Sequence, residues 1–163
     1  MDTSRHYQAP ADREPPDPPR ELRLDGVLAA AIAAHLQATL PQEGCGLLAV
    51  HSSDDSTAVA TRFYPGTNLD ASPTRYTMDP AEVLAVFRDL DANGWSLGAI
   101  VHSHPATPPT PSPTDLNEAY YPEALMLIVS FAAGAPVMRA WRLLASSTPR
   151  VVEEVPIALT EGA

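Results

Sequence analysis

An α/β domain built around a mixed central β-sheet is the fold class that this sequence predicts, and three observations carry it. Segments with apolar residues at helical spacing alternate with short apolar runs of strand length. Cap and breaker residues separate the two kinds of segment, at Pro41, Asp79-Pro80 and Gly94. A length of 163 residues with 45% hydrophobic content suits one domain with a sizeable core.

Residues 1–20 hold Pro10, Pro15, Pro16, Pro18 and Pro19 among charged side chains. That composition buries too little apolar surface to order itself, so a disordered tail is expected there and the domain over residues 21–160. From Asp25 to Leu40, the residues Val27, Leu28, Ile32, Leu36 and Leu40 fall on helical spacing, and Pro41 stops the helix. Gly46–Val50 predicts a strand, and the Asp-containing turn at Ser52–Ser56 returns it as a second strand over Thr57–Tyr64. An irregular loop runs through Asn68 and Pro73. The next helix has the clearest ends: Asp79 as cap, Pro80 in the first position, Glu82 to complete a capping box and Gly94 as terminator. Its core face is Val83, Val86, Phe87 and Leu90. Ser96–His104 is an apolar run without helix caps and predicts a strand. A Pro-rich loop follows, then a short helix ending before Pro122 and strands over Ala124–Phe131 and Val137–Leu144. A last extended segment is expected at Val151–Leu159, and no internal repeat is visible.

The residues with the most chemistry are His102-Ser103-His104, followed by Ser112 and Asp115. In a strand, residues two apart share a face, so both imidazoles project the same way from one rigid edge. Ser112-Pro113 reads as a helix start that brings the Asp115 carboxylate toward that edge. Two histidines and one aspartate are three protein ligands, the number that catalytic zinc takes while leaving its fourth position to water. A closed thiolate site is excluded, because Cys45 is the only cysteine. One zinc per chain is therefore expected, at the strand ends where open α/β sheets commonly carry their sites. Hydrolysis there needs a base, and Glu43 is a candidate, in Glu43-Gly44-Cys45-Gly46 at a strand start where the glycines are expected to let backbone and substrate approach closely. Spacing alone does not select it over the other acids.

The pattern of Glu43, then His102-Ser103-His104, seven residues, Ser112, two residues and Asp115 resembles the motif of the JAMM (MPN+) metallopeptidases, with every motif position filled. The similarity runs from Leu22 to Leu144. It implies a single-domain MPN fold, with helices flanking the mixed sheet and a layout like that of the cytidine deaminases. It also implies that His102, His104 and Asp115 bind zinc, that Glu43 is general acid/base toward the attacking water, and that Ser112 helps hold the oxyanion of the tetrahedral intermediate. Thr67-Asn68, Ser72-Pro73, Tyr76 and Asp79-Pro80 are similar to the bacterial branch, most of all to actinobacterial members that release cysteine from a sulfur-carrier protein. The substrate so implied is a peptide or isopeptide bond after the C-terminal glycine of a small ubiquitin-like carrier protein, cut in cysteine synthesis. The DNA-repair-associated branch also has a His-x-His-Pro and a Pro-rich loop, but Glu43-Gly44-Cys45-Gly46 and the Asn68–Asp79 segment fit it poorly.

Other readings bear on the same residues. A metal-free MPN scaffold that only binds partners usually lacks ligands, and this chain has all of them. A zinc deaminase shows His-x-Glu and Pro-Cys-x-x-Cys, neither of which is present. Ser112 alone is a helix cap and Asp115 a favourable first-turn acid, and both uses coexist with catalysis. Cys45 is expected to be a small buried hydrophobe, with a thiolate near zinc as the alternative. His6, His35 and His51 match no motif and read as tail, helix-surface and strand-end residues. A formal net charge of −10 argues against nucleic acid and anionic membranes as partners. No apolar run approaches the ~20 residues that span a bilayer, Met1–Pro10 has no apolar signal core, and Cys45 has no intramolecular partner, so the cytoplasm is the expected compartment. Homodimerisation is left open.

Overall fold

The computed structural model describes residues 17–54, 56–144 and 150–161. Its strands are β1 (Glu21–Asp25), β2 (Cys45–Asp54), β3 (Thr57–Gly66), β4 (Ser96–His104), β5 (Leu125–Ser130), β6 (Val137–Leu143), β7 (Val152–Val155) and β8 (Ile157–Thr160). The helices are α1 (Gly26–Thr39), α2 (Pro80–Asn93) and α3 (Pro113–Asn117). One mixed sheet holds all the strands, in the order β7-β6-β5-β4-β2-β3-β1-β8. Pro156 alone separates β7 from β8, yet β7 pairs with β6 and β8 pairs with β1. The sheet therefore curls until its two ends meet on one stretch of chain, nearly closing a barrel. The extended segment expected over Val151–Leu159 is in fact two strands, broken at a proline that has no N–H to continue a ladder.

β1 precedes the first helix, where the sequence predicted none, and buries Leu22 and Leu24 completely. Two apolar residues in a five-residue strand make too short an alternation to read. Pro18 is buried beside it, and the Arg20 N–H donates to the Ser56 carbonyl at 2.7 Å. Residues 1–16 of the expected tail, with His6, lie outside the described residues, as does Asp55 of the expected turn.

α1 starts where Asp25 accepts the Leu28 N–H at 2.8 Å, and it lays Ile32 and Leu36 against the sheet. Val27, expected on that face, is 73% exposed, while Leu28, expected there too, packs against the core. Asp79 caps α2 through the Ala81 N–H, and Gly94 ends it in the left-handed region at φ 67°, which glycine adopts without a Cβ clash. Glu82 does not close the expected capping box. Its carboxylate instead takes the Thr67 N–H and hydroxyl at 2.8 and 2.7 Å, which ties α2 to the loop after β3. Val86 and Leu90 are buried, with Val83 and Phe87 packed beside them.

β2 and β4 lie between two apolar layers. Leu48, Val50, Ala99 and Val101 join α1 and the inward residues of β5 in one core. Leu47, Ala49 and Ile100 face α2. Strand alternation carries His102 and His104 onto the same face as Ile100. No helix among the described residues is long and apolar enough to cross a membrane.

Candidate metal centre

His102 and His104 end β4, and the first turn of α3 supplies Asp115. His102 Nε2 and His104 Nε2 are 3.2 Å apart, and Asp115 Oδ2 lies 3.2 and 3.0 Å from them. The three residues form the one cluster of ligating side chains among the described residues. Two imidazole nitrogens and a carboxylate oxygen aimed at one point are a donor set that fits a divalent zinc ion.

Each of the three side chains is held by a partner behind it. His104 Nδ1–H donates to the Pro108 carbonyl at 2.7 Å, which in the neutral ring leaves Nε2 as the lone-pair nitrogen. The neighbouring carbonyls are held too: Thr107 accepts the Ser130 hydroxyl at 2.6 Å, and Pro109 accepts the Trp141 Nε1–H at 2.8 Å. Three consecutive carbonyls of the Pro-rich loop are thus gripped by side chains from β5, β4 and β6. Prolines lack the N–H that a loop needs to bond to itself, so this grip sets its path. The His102 ring stacks on Tyr76, with centroids 4.9 Å apart and planes 25° from parallel. Asp115 accepts the Ser112 N–H at 2.8 Å while Ser112 Oγ accepts the Asp115 N–H at 3.0 Å, a reciprocal capping box. The serine cap and first-turn acid are as expected, and the hydroxyl proton of Ser112 is not used in that cap.

Electrostatics follow from the geometry. Burial works against the charged form of Asp115, but bonds from His102, His104 and the Ser112 N–H outweigh it and hold its pKa far below the carboxylate range. Burial likewise opposes a charged His104. Its bonds to Asp115 and the Pro108 carbonyl, with the charges of Asp115 and Glu43, raise its pKa above the ordinary imidazole value.

Glu43 stands just before β2. Cys45 is opposite His102 in the antiparallel pair, the Ser103 N–H donates to the Gly44 carbonyl at 3.0 Å, and the Gly44 N–H donates to Ser103 Oγ at 2.8 Å. Continuing that register puts Glu43 level with His104. The Glu43 N–H donates to the Ser72 carbonyl at 2.8 Å, and its own carbonyl accepts from Asn68 Nδ2 at 3.0 Å, so the loop after β3 fixes its backbone. The residue is 5% exposed, and its Oε2 has no hydrogen-bond partner. Burial pushes the Glu43 pKa up to about 7, against the pull of His104 and with a smaller push from Asp115.

The glycines around Glu43 serve close packing. A Cβ on Gly44 would lie 2.8 Å from Leu36, and one on Gly46 would lie 2.5 Å from Phe63. Cys45 is buried and outside the ligand cluster, and burial, with the charges of Glu82 and Glu43, pushes its pKa up to about 12, so it is a neutral thiol. His35 is not a helix-surface residue. It is half-buried and bonds the Cys45 carbonyl through Nε2 at 3.0 Å, tying α1 to β2. His51 is exposed, within β2. Sequence reasoning missed Ser103, Ser130 and Trp141. A polar Ser103 between two ligands on the core-facing side of β4 was a usable signal, but the other two bond carbonyls 23 and 32 residues away and leave no local trace.

The model of the family described as prokaryotic homologs of the JAB domain matches residues 26–144. A CysO-cysteine peptidase of Mycobacterium bovis is 38% identical over 103 residues, which is 63% of this chain and 68% of that protein. A desampylase of Haloferax volcanii is 34% identical over 91 residues, 55% of this chain and 63% of that protein. The solution structure of a Desulfitobacterium hafniense protein is similar to 86% of this chain and 94% of its own, with a TM-score of 0.76 at 36% identity.

Proposed function

This chain belongs to the family of prokaryotic homologs of the JAB domain, and from that premise we propose that it is a zinc-dependent peptidase acting on the bond after the C-terminal glycine of a small ubiquitin-like carrier protein. One observation carries the reading: three ligand atoms converge at the end of β4, and a buried carboxyl with an unbonded oxygen and a pKa near neutrality lies at the same end of the sheet. His102, His104 and Asp115 would hold the zinc, which supplies a Lewis acid that polarises the scissile carbonyl and makes water acidic at neutral pH.

The remaining chemistry belongs to the protein's own groups. Glu43 takes a proton from the attacking water, whose oxygen bonds to the glycine carbonyl carbon. The carbon–nitrogen bond then breaks as Glu43 returns the proton to the leaving amine, giving a glycine carboxylate and a free amino group. A base works best with a pKa near the working pH, which burial gives Glu43. The Ser112 hydroxyl proton, not used in the cap, donates to the oxyanion of the tetrahedral intermediate. Similarity to a protein named CysO-cysteine peptidase supports cysteine as the released residue, and we propose that the cut serves a route that makes cysteine. The test is to load the protein with zinc and incubate it with each small Gly-Gly-terminated protein of its genome, extended by Cys or joined to a lysine side chain. Mass spectrometry should find the freed glycine carboxylate. Full zinc stoichiometry with no adduct cut would overturn the reading.

A further inference from the structure

We infer that the apolar cavity beside the metal centre is a specificity pocket for the side chain of the residue that leaves, and that it admits apolar side chains larger than that of cysteine. This rests on the peptidase reading above.

The cavity has a volume of about 320 Å³, and His102 and Asp115 form part of its wall. A group in the part of it that these two side chains line therefore meets two of the three residues of the cluster. Its far wall is sheet core: Leu47, Met126 and Leu143 line it and are 2, 7 and 5% exposed. Its mouth is wet, with Tyr120 76% exposed and Glu118 paired to Arg75. The fold explains the space. α2 packs over β2 and β4 through Val86 and Leu90, while toward β5 and β6 the irregular segment 118–124 lines the cavity instead.

Size and polarity choose the occupant. Ligand pockets run from roughly 300 to 1,000 Å³, so this one stands at the lower end and suits a single side chain rather than a peptide. Its ligating groups lie at one end, which orients an occupant with its reacting bond at the metal end and its apolar part inward. The acyl residue of the proposed substrate is glycine, which brings no side chain. The side chain that enters must come from the amine side of the bond. Cysteine behaves as a small hydrophobe and fills part of the space. Leucine, methionine or phenylalanine fills more of it.

The test is a series of carrier-Gly-Gly-X substrates with X as Ala, Cys, Leu, Met and Phe, cut by the zinc-loaded protein. The kcat/KM for Leu or Met should exceed that for Ala at least about tenfold, as expected for apolar groups entering a fitted pocket. Ala119→Phe narrows the cavity and should bring that ratio toward one. Val83→Ala widens it and should move the optimum toward Phe, which keeps the inference testable if the first variant folds poorly. Equal kcat/KM for every X in the unaltered protein would overturn the pocket and leave the peptidase reading standing. A preference that neither variant alters would place selectivity elsewhere and overturn the pocket too. If no X is cut at all, the peptidase reading fails and the pocket's role fails with it.

Discussion

The two faces of β4 use the same alternation for opposite ends. On the α1 side, Ala99 and Val101 are 0% exposed within a continuous apolar core. On the other side, Ile100, His102 and Asp115 meet a cavity, and the imidazoles meet a tyrosine ring and a carboxylate. The packed face sets the register, and the open face holds the chemistry. A slip of one residue would send both imidazoles into the core, so the apolar side is what aims them. Precision at this site comes from residues that never touch it.

The sharpest way to break that division is to damage each face in turn. His104→Ala should lose zinc on dialysis and lose turnover below detection, because it removes one of three ligands. Leu127→Ala, fully buried on the α1 side, should cost about 2–5 kcal/mol in urea unfolding and keep full zinc occupancy while folded. A folded Leu127→Ala that failed to bind zinc would show that the two faces are not separable.

Glu43→Gln should retain zinc and slow turnover by about 10²–10⁴, the contribution of a general base. The same variant isolates a pH effect in metal-free protein. A carboxyl whose folded pKa of about 7 lies above its unfolded value of 4.5 favours the fold fully below pH 4.5, and that advantage is lost as the pH rises through 7. Between pH 5 and 8 the metal-free wild type should therefore lose stability relative to Glu43→Gln, by something on the order of 3 kcal/mol at 1.36 kcal/mol per pH unit. Parallel stability curves for the two proteins would mean that Glu43 is not desolvated by the fold.

How much of this was legible in the sequence follows the same division. The strand Ser96–His104, the caps Asp79, Gly94 and Ser112, and the apolar face of α2 are local patterns, and the structure has them where their periodicity put them. The convergence of His102, His104 and Asp115 was legible because strand alternation and a helix cap fix directions within 14 residues of chain. Glu43 is different. It reaches the centre through the β2–β4 pairing, and its residue type has no periodic signature, so only the family resemblance singled it out. β1 and the split of β7 from β8 depend on edges that meet across the whole chain. Glu82 bonded Thr67 rather than its own helix end, because a tertiary partner competed for the same carboxylate.

Ser112 tests whether one residue serves both as structure and as chemistry. Its Oγ caps α3, and losing a cap costs about 0.5–2 kcal/mol. A donor to a developing oxyanion contributes roughly 10²–10³ in kcat. Ser112→Ala should show both effects, with kcat measured well below its melting temperature, while Ser112→Asn should restore the cap without restoring the rate. A normal kcat in Ser112→Ala would reduce this serine to a cap.

The smallest expected effect probes how far the packed framework reaches into the site. Trp141→Phe keeps an aromatic ring on β6 but removes the N–H that holds the Pro109 carbonyl. The adjacent Pro108 carbonyl sets the His104 tautomer, so loosening the loop should let the imidazole turn away from its ligating orientation. Partners behind a ligand typically contribute about 10–100-fold to metal affinity. Trp141 acts one residue removed from that bond, and the Ser130–Thr107 contact persists, so zinc affinity measured by chelator competition should fall only about tenfold. One neutral hydrogen bond contributes about 1 kcal/mol, so the melting temperature should hardly move. Adding Ser130→Ala should remove the second grip on the loop and deepen the loss of affinity beyond that of either change alone. A double variant that binds zinc like the wild type would show that the His104–Pro108 bond holds the loop by itself, and that β5 and β6 contribute packing but no aim.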